Sequence, residues 1–172
     1  LYDYTEETKI KEVIMNTKTE TDFATDYETG DIGVKTFLDH FKGQLISEVP
    51  YERKEEYDYK VNGTKYEIKT NFKDDGMLVI EEWNSRAENV KGWIVTSKSD
   101  FIVFVSKTTG MMLMYPTKTL QNWYRDNHDW IRTSIPLHKN KKTNGNYGDQ
   151  WTGEYRRIPI SKLNFRPVVV TK

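Results

Sequence analysis

Val34, Phe37, Leu38 and Phe41 recur at i, i+3, i+4 and i+7, the apolar stripe of an amphipathic helix, which predicts a helix over Asp31 to Phe41. Gly43 follows as its C-terminal cap. Beyond it, Leu45–Val49, Tyr57–Val61, Thr64–Thr70 and Met77–Trp83 are short runs rich in β-branched and aromatic residues, set apart by turn-like composition. They predict four strands. A short helix over Ser85–Val90 comes next, then a strand pair, Phe101–Val105 and Met111–Tyr115, turning at Gly110. Pro116 and Thr117 open a helix running to about Asn127, with Leu120, Trp123 and Tyr124 on its inner stripe. From His138 to Gln150 the chain is polar and rich in Lys, Asn and Gly, which predicts a long basic surface loop.

The central feature of this pattern is Asn62-Gly63 between two alternating runs, because a type I′ hairpin turn needs positive φ at both central residues. A two-residue loop pairs Val61 with Thr64, Lys60 with Lys65, Tyr59 with Tyr66 and Asp58 with Glu67. Side chains alternate along a strand, so Tyr57, Tyr59, Val61, Tyr66 and Ile68 share one face, the expected core side. Asp58, Glu67 and Lys69 share the other.

Composition sets the scale. The chain has 172 residues, 36% hydrophobic and 13% aromatic, enough to bury the core of one compact domain. Mixed helices and strands in this order predict an α/β (α+β) fold, a central mixed sheet flanked by helices. The expected division is a core over about 28–127 and a C-terminal extension over 128–172 that carries the basic loop 138–150. Cysteine is absent and histidine occurs three times, so disulfides and thiolate metal sites are excluded and any metal is held mainly by oxygen. His128 and His138 lack a companion at ligand spacing. The longest apolar runs are strand-sized, far short of the roughly 20 residues that cross a bilayer, and the acidic start has no signal-peptide pattern. The expected location is therefore the cytoplasm.

Acidic and basic residues number 26 each, so no overall charge draws the molecule to nucleic acid or anionic lipid. Local patches decide. Lys139, Lys141 and Lys142 gather in the predicted loop, where they could give sequence-independent phosphate affinity or simply be solvated. Thr96 and Ser97, beside Lys98, could touch phosphate or could begin a turn.

On the polar face of the hairpin, two directly opposed carboxylates repel by a few tenths to about 1 kcal/mol. A divalent cation between them reverses that sign. Mg²⁺ prefers hard oxygen ligands and commonly takes one or two carboxylates together with water and substrate phosphate; Lys69 could then orient water or offset transition-state charge. The same face also reads as the ordinary solvated side of an amphipathic hairpin, since Glu56, Lys60 and Lys65 lie on it. Acid-x-Lys is a weak signal alone: Glu7-Thr8-Lys9, Glu52-Arg53-Lys54 and Asp58-Tyr59-Lys60 match it too.

Asp58, a hairpin, then Tyr66-Glu67-Ile68-Lys69-Thr70 resembles the core of the PD-(D/E)XK nuclease superfamily, of restriction-endonuclease-like fold, which runs helix, three strands, helix, strand. Leu78-Val79-Ile80-Glu81 and the stretch Lys91 to Phe104, containing Thr96-Ser97-Lys98-Ser99-Asp100, look like a branch common among phage-encoded proteins. The similarity spans roughly Asp31 to Thr117; Tyr57 stands where the family's eponymous Pro would be. The resemblance implies a metal-dependent DNA endonuclease with Asp58, Glu67 and Lys69 as catalytic residues. It implies Mg²⁺, with Mn²⁺ as substitute, held by Asp58, Glu67 and the Ile68 backbone carbonyl. Glu81 is similar to an additional acid of this branch, and Asp31, or its rival Glu28, to an acid of the first helix. DNA is the implied partner, in the host cytoplasm if the protein is viral, and many such enzymes work as homodimers. The alternatives are a catalytically silent nuclease-like domain that binds DNA or a partner protein, and an unrelated α/β module with an amphipathic hairpin.

Overall fold

The computed structural model describes residues 32–49, 57–143 and 150–171. Helix α1 covers 32–40. It is followed by β1 (Ile46–Glu48), β2 (Tyr59–Val61), β3 (Thr64–Phe72), β4 (Met77–Ser85), β5 (Val90–Lys91), α2 (Trp93–Thr96), β6 (Phe101–Ser106) and β7 (Met112–Pro116). Then come α3 (Thr117–Asp126), α4 (His128–Ser134), β8 (Leu137–Thr143), β9 (Gln150–Pro159), a 3₁₀ turn at Ile160–Lys162 and β10 (Val168–Val170).

Two sheets form among the described residues. The larger has strand order β1-β2-β3-β6-β7-β10, and it is mixed because β3 and β6 run parallel while its other pairs are antiparallel. The smaller, β5-β4-β9-β8, is antiparallel throughout. The hairpin at Asn62-Gly63 forms in the register its turn dictates, Val61 with Thr64 and Tyr59 with Tyr66, and both turn residues have positive φ, 48° and 89°.

Each face of the mixed sheet is buried against a different layer. On one face Phe37 of α1 and Phe41 just beyond its end pack on Val61, Ile68, Val103, Val105 and Met112, with Tyr59 and Tyr66 beside them. This is the aromatic face of the hairpin, and burial there explains the stripe of α1. On the other face Ile102, Phe104, Leu113 and Tyr115 meet Leu78, Ile80 and Ile158 of the smaller sheet and Leu120, Trp123, Tyr124 and Ile131 of α3 and α4. Glu67 and Lys69 point to this second side, because they alternate with Ile68.

Helix α3 forms where Pro116-Thr117 places it. Ser85–Val90 does not form a helix: residues 86–89 turn, Asn89 takes φ 57°, and Val90–Lys91 returns as a strand against β4. No residue from Arg86 to Lys91 is buried, so there is no apolar stripe to hold a helix against the core. The predicted loop 138–150 is also corrected. Residues up to Thr143 belong to β8, an edge strand paired with β9 from Leu137↔Arg156 to Thr143↔Gln150, and 144–149 lie outside the described residues. A lysine-rich edge strand keeps a sheet from pairing further and reads like a loop in sequence. Residues beyond 128 also enter both sheets, since β9 lies against β4 and β10 against β7.

Candidate active site

Three elements build the site. Strand β3 supplies Glu67 and Lys69, the segment entering β2 supplies Asp58, and β4 supplies Glu81. Regular pairing of the hairpin ends at Tyr59↔Tyr66. Asp58 donates its N–H to the Tyr66 carbonyl at 2.9 Å, one residue out of the register that would set it squarely across from Glu67. Its carboxylate instead accepts the Ile68 N–H at 2.6 Å, a short charge-assisted bond that fixes Asp58 against the peptide between Glu67 and Lys69.

Glu67 is only 6% exposed, which overturns the solvated-face reading for this residue. Its Oε1 lies 2.5 Å from Lys69 Nζ, and its Oε2 is buried without a hydrogen-bond partner among the described residues. A buried carboxylate oxygen left unpaired costs stability, of order 1–3 kcal/mol or more for a charged group, unless something else satisfies it. Lys69 is about one-fifth exposed, and its Nζ stands 5.5 Å from the centroid of the Trp93 ring.

The electrostatics follow from this crowding. Burial raises the Glu67 pKa above its ordinary value; Lys69 pulls it down, while the charges of Asp58 and Glu81 push it up. Burial pulls the Lys69 ammonium down, but Glu67, Asp58 and Glu81 outweigh it and hold the pKa above the usual lysine value. Asp58 and Glu81 thus lie within electrostatic reach of both Glu67 and Lys69. Three carboxylates against one ammonium leave two negative charges when all are ionised. A divalent cation would balance that charge.

Glu81 occupies a bent part of β4. Register slips between Glu81 and Trp83, with one more residue on β4 than on β9, and Gly92 donates its N–H to the Glu82 carbonyl at 2.9 Å from the other side. A Cβ at Gly92 would run into the Glu81 carbonyl, so only glycine allows this approach. Bulges of this kind re-aim side chains beside functional sites.

A metal ion fits these donors chemically. The unpaired Glu67 Oε2, Asp58 beside it and the surplus negative charge suit a hard cation that retains water and takes further ligands from a substrate. No group of three or more His, Cys, Asp or Glu converges into a cage among the described residues. The arrangement is two carboxylates from the hairpin with Glu81 in reach.

The other expected residues scatter. Asp31 and Glu28 lie outside the described residues. Ser97 is 6% exposed, with its hydroxyl 2.9 Å from that of Ser99, which reaches Thr117 Oγ1 at 2.8 Å; this buried chain ties the α2–β6 connection to the start of α3. Thr96 is exposed, with its hydroxyl on the Gly92 carbonyl at 3.2 Å, and Lys98 is exposed beside it. Lys139 is exposed on β8 with its Nζ 3.8 Å from Glu154, while Lys141 and Lys142 fall on the same strand, in register with Thr152 and Trp151.

Sequence reasoning missed two features. Trp93 stands over Lys69, and its one signal was an aromatic following Gly92. Buried Glu82 accepts from Arg156 Nε at 2.7 Å and from the Tyr124 hydroxyl at 2.9 Å, joining β4, β9 and α3 behind Glu81.

Comparison with known proteins finds no matching family model, no matching curated protein and no matching solved structure. Among the described residues no helix is long and apolar enough to cross a membrane.

Proposed function

We propose that this chain is a Mg²⁺-dependent DNA endonuclease of restriction-endonuclease-like fold. The observation that carries the reading is the buried Glu67 carboxylate, with one oxygen on Lys69, the other unpaired, and Asp58 and Glu81 close by. The element order supports it: α1, the antiparallel β1-β2-β3, then α2 and β6 laid parallel to β3, with β4 and β5 inserted.

In this reading Asp58 and Glu67, with the Ile68 backbone carbonyl, would hold the ion, and Glu81 would add negative charge nearby. When bound, Mg²⁺ lowers the pKa of water and offsets the charge that develops on a phosphate under attack. Asp58 keeps its place through the Ile68 N–H, so both carboxylates are anchored to one stretch of β3. Lys69 carries a fixed positive charge at the edge of the site, where it orients water or steadies the non-bridging phosphate oxygens. Partial burial strengthens each of these interactions relative to water.

The test is nicking of supercoiled plasmid and of a branched DNA junction with Mg²⁺, Mn²⁺, Ca²⁺ or EDTA, comparing wild type with Glu67→Ala and Lys69→Ala. Cleavage that requires Mg²⁺ or Mn²⁺ and is lost in both variants supports the proposal. DNA binding without cleavage of any substrate points to a silent nuclease-like domain, and the absence of both binding and cleavage removes the nuclease reading.

A further inference from the structure

Lys69 is a long side chain with a charge at its tip, and the contact with Glu67 Oε1 at 2.5 Å fixes that tip at a single point. One ion pair at the tip does not by itself set the course of the four-carbon stem. A second constraint comes from a different element: the Trp93 ring, the first residue of α2, with its centroid 5.5 Å from Lys69 Nζ. Within about 6 Å an indole face attracts an ammonium through its quadrupole, more strongly where water is thinned out.

The ring is itself immobilised. Trp93 is 7% exposed and meets Phe104 of β6 edge to face, with centroids 5.8 Å apart. Its neighbour Gly92 is pressed on the β4 backbone at Glu81–Glu82, which a side chain at position 92 would prevent. The strand that brings Glu81 to the acid cluster therefore also sets the height of the indole above β3. Glu81, Trp93 and Lys69 are placed by one packing arrangement.

We propose that Trp93 is the positioning residue for Lys69, its indole face holding the ammonium at the acid cluster of Asp58, Glu67 and Glu81. Trp93 contacts neither substrate nor ion in this scheme; it acts through Lys69. The kinetic consequence rests on the nuclease reading, whereas the physical coupling of ring and ammonium does not.

The experiment has two arms. In Mg²⁺-dependent plasmid nicking, Trp93→Leu lowers kcat by about tenfold, the scale of a partly desolvated cation–π contact, while KM and Mn²⁺ affinity stay within about twofold. Trp93→Phe, which keeps an aromatic face, brings kcat back toward wild type. In the second arm, urea unfolding in EDTA compares wild type, Trp93→Leu, Lys69→Met and the double variant. Coupling makes the loss in the double variant smaller than the sum of the two singles. Unchanged kcat in Trp93→Leu, equal damage to kcat, KM and Mn²⁺ affinity without rescue by Phe, or additive unfolding each overturns the proposal. If wild type cleaves no DNA the nuclease reading falls, and the unfolding cycle alone decides whether the ring holds Lys69.

Discussion

The Asp58 carboxylate accepts the Ile68 N–H at 2.6 Å, so it is fastened to the β3 backbone between Glu67 and Lys69. This bond and the charge of Asp58 are separable. Asp58→Asn keeps an acceptor oxygen for Ile68 but removes the charge, whereas Asp58→Ala removes both. On the proposed metal-binding reading, the expected result is that Asn weakens Mn²⁺ binding with little loss of stability. Alanine additionally costs about 1–3 kcal/mol, the penalty of an unmatched amide partly out of water. Calorimetric Mn²⁺ titration and urea unfolding of both variants check this; equal stability of the two would show that the bond contributes nothing.

The raised pKa of Glu67 has consequences of definite sign. Because the folded state holds that proton more readily than the unfolded chain, the metal-free protein loses stability as pH rises from the ordinary glutamate value of 4.5 through the raised folded value. Glu67→Gln removes that slope, which urea unfolding in EDTA over this pH range measures. On the proposed metal-binding reading, metal affinity runs the other way, since a proton competes for the same carboxylate: Mn²⁺ binding should weaken as pH falls, beginning at a higher pH than for an ordinary glutamate. Lys69 pulls the Glu67 value down, so Lys69→Met moves the Mn²⁺ midpoint to still higher pH. A midpoint that moves lower in Lys69→Met would contradict this electrostatic picture.

Behind the site, Glu82 and Arg156 form a buried ion pair, each under 10% exposed, with Tyr124 on the same carboxylate oxygen and Arg156 also reaching the Ile131 and Ile135 carbonyls at the end of α4. Removing one partner strands the other charge. Arg156→Met is expected to cost about 3–5 kcal/mol, while Glu82→Leu with Arg156→Met recovers most of that loss, because a buried ion pair gains little over apolar packing once both charges are gone. Tyr124→Phe costs a smaller amount, about 1 kcal/mol. Urea unfolding of the single and double variants tests the ordering; a double variant no better than Arg156→Met would show that the charges themselves hold β4, β9 and α3 together.

These pairs also show where sequence reading succeeds and fails. The hairpin was legible because Asn62-Gly63 fixes both turn and register, and α1 because its apolar positions meet a single layer. Strand β9 was not, since its buried positions alternate as Glu154, Arg156 and Ile158, and charged residues hide the period when their partners lie far away in sequence. Arg86 pairs with Glu154 and Arg156 with Glu82, contacts no local pattern reveals. At the candidate site, alternation along the hairpin was enough to put Glu67 and Lys69 on one face of β3, where they form an ion pair. The slipped register at Asp58, the bulge beside Glu81 and the Trp93 contact depend on strands meeting across the fold.

Two glycines are expected to respond differently to the same added methyl. At Gly33 in α1 a Cβ would strike the Cγ2 methyl of Thr70 on β3, a side-chain atom; at Gly92 it would strike the Glu81 carbonyl, which is backbone. Both Ala variants overpack, at a typical cost of about 1–3 kcal/mol. Only one obstruction can be trimmed by mutation. Thr70→Ser deletes the obstructing methyl, so it should restore part of the stability lost in Gly33→Ala. The restoration stays partial because Thr70 Cβ also lies 2.9 Å from the added atom. Gly92→Ala has no such remedy, and relief requires β4 or α2 to move, carrying Glu81 or Trp93 with it. Thermal unfolding of the two Ala variants and of Gly33→Ala with Thr70→Ser measures the first difference. Mn²⁺ affinity and kcat measure the second: Gly33→Ala should leave both near wild type, whereas Gly92→Ala should lower kcat beyond its loss of stability.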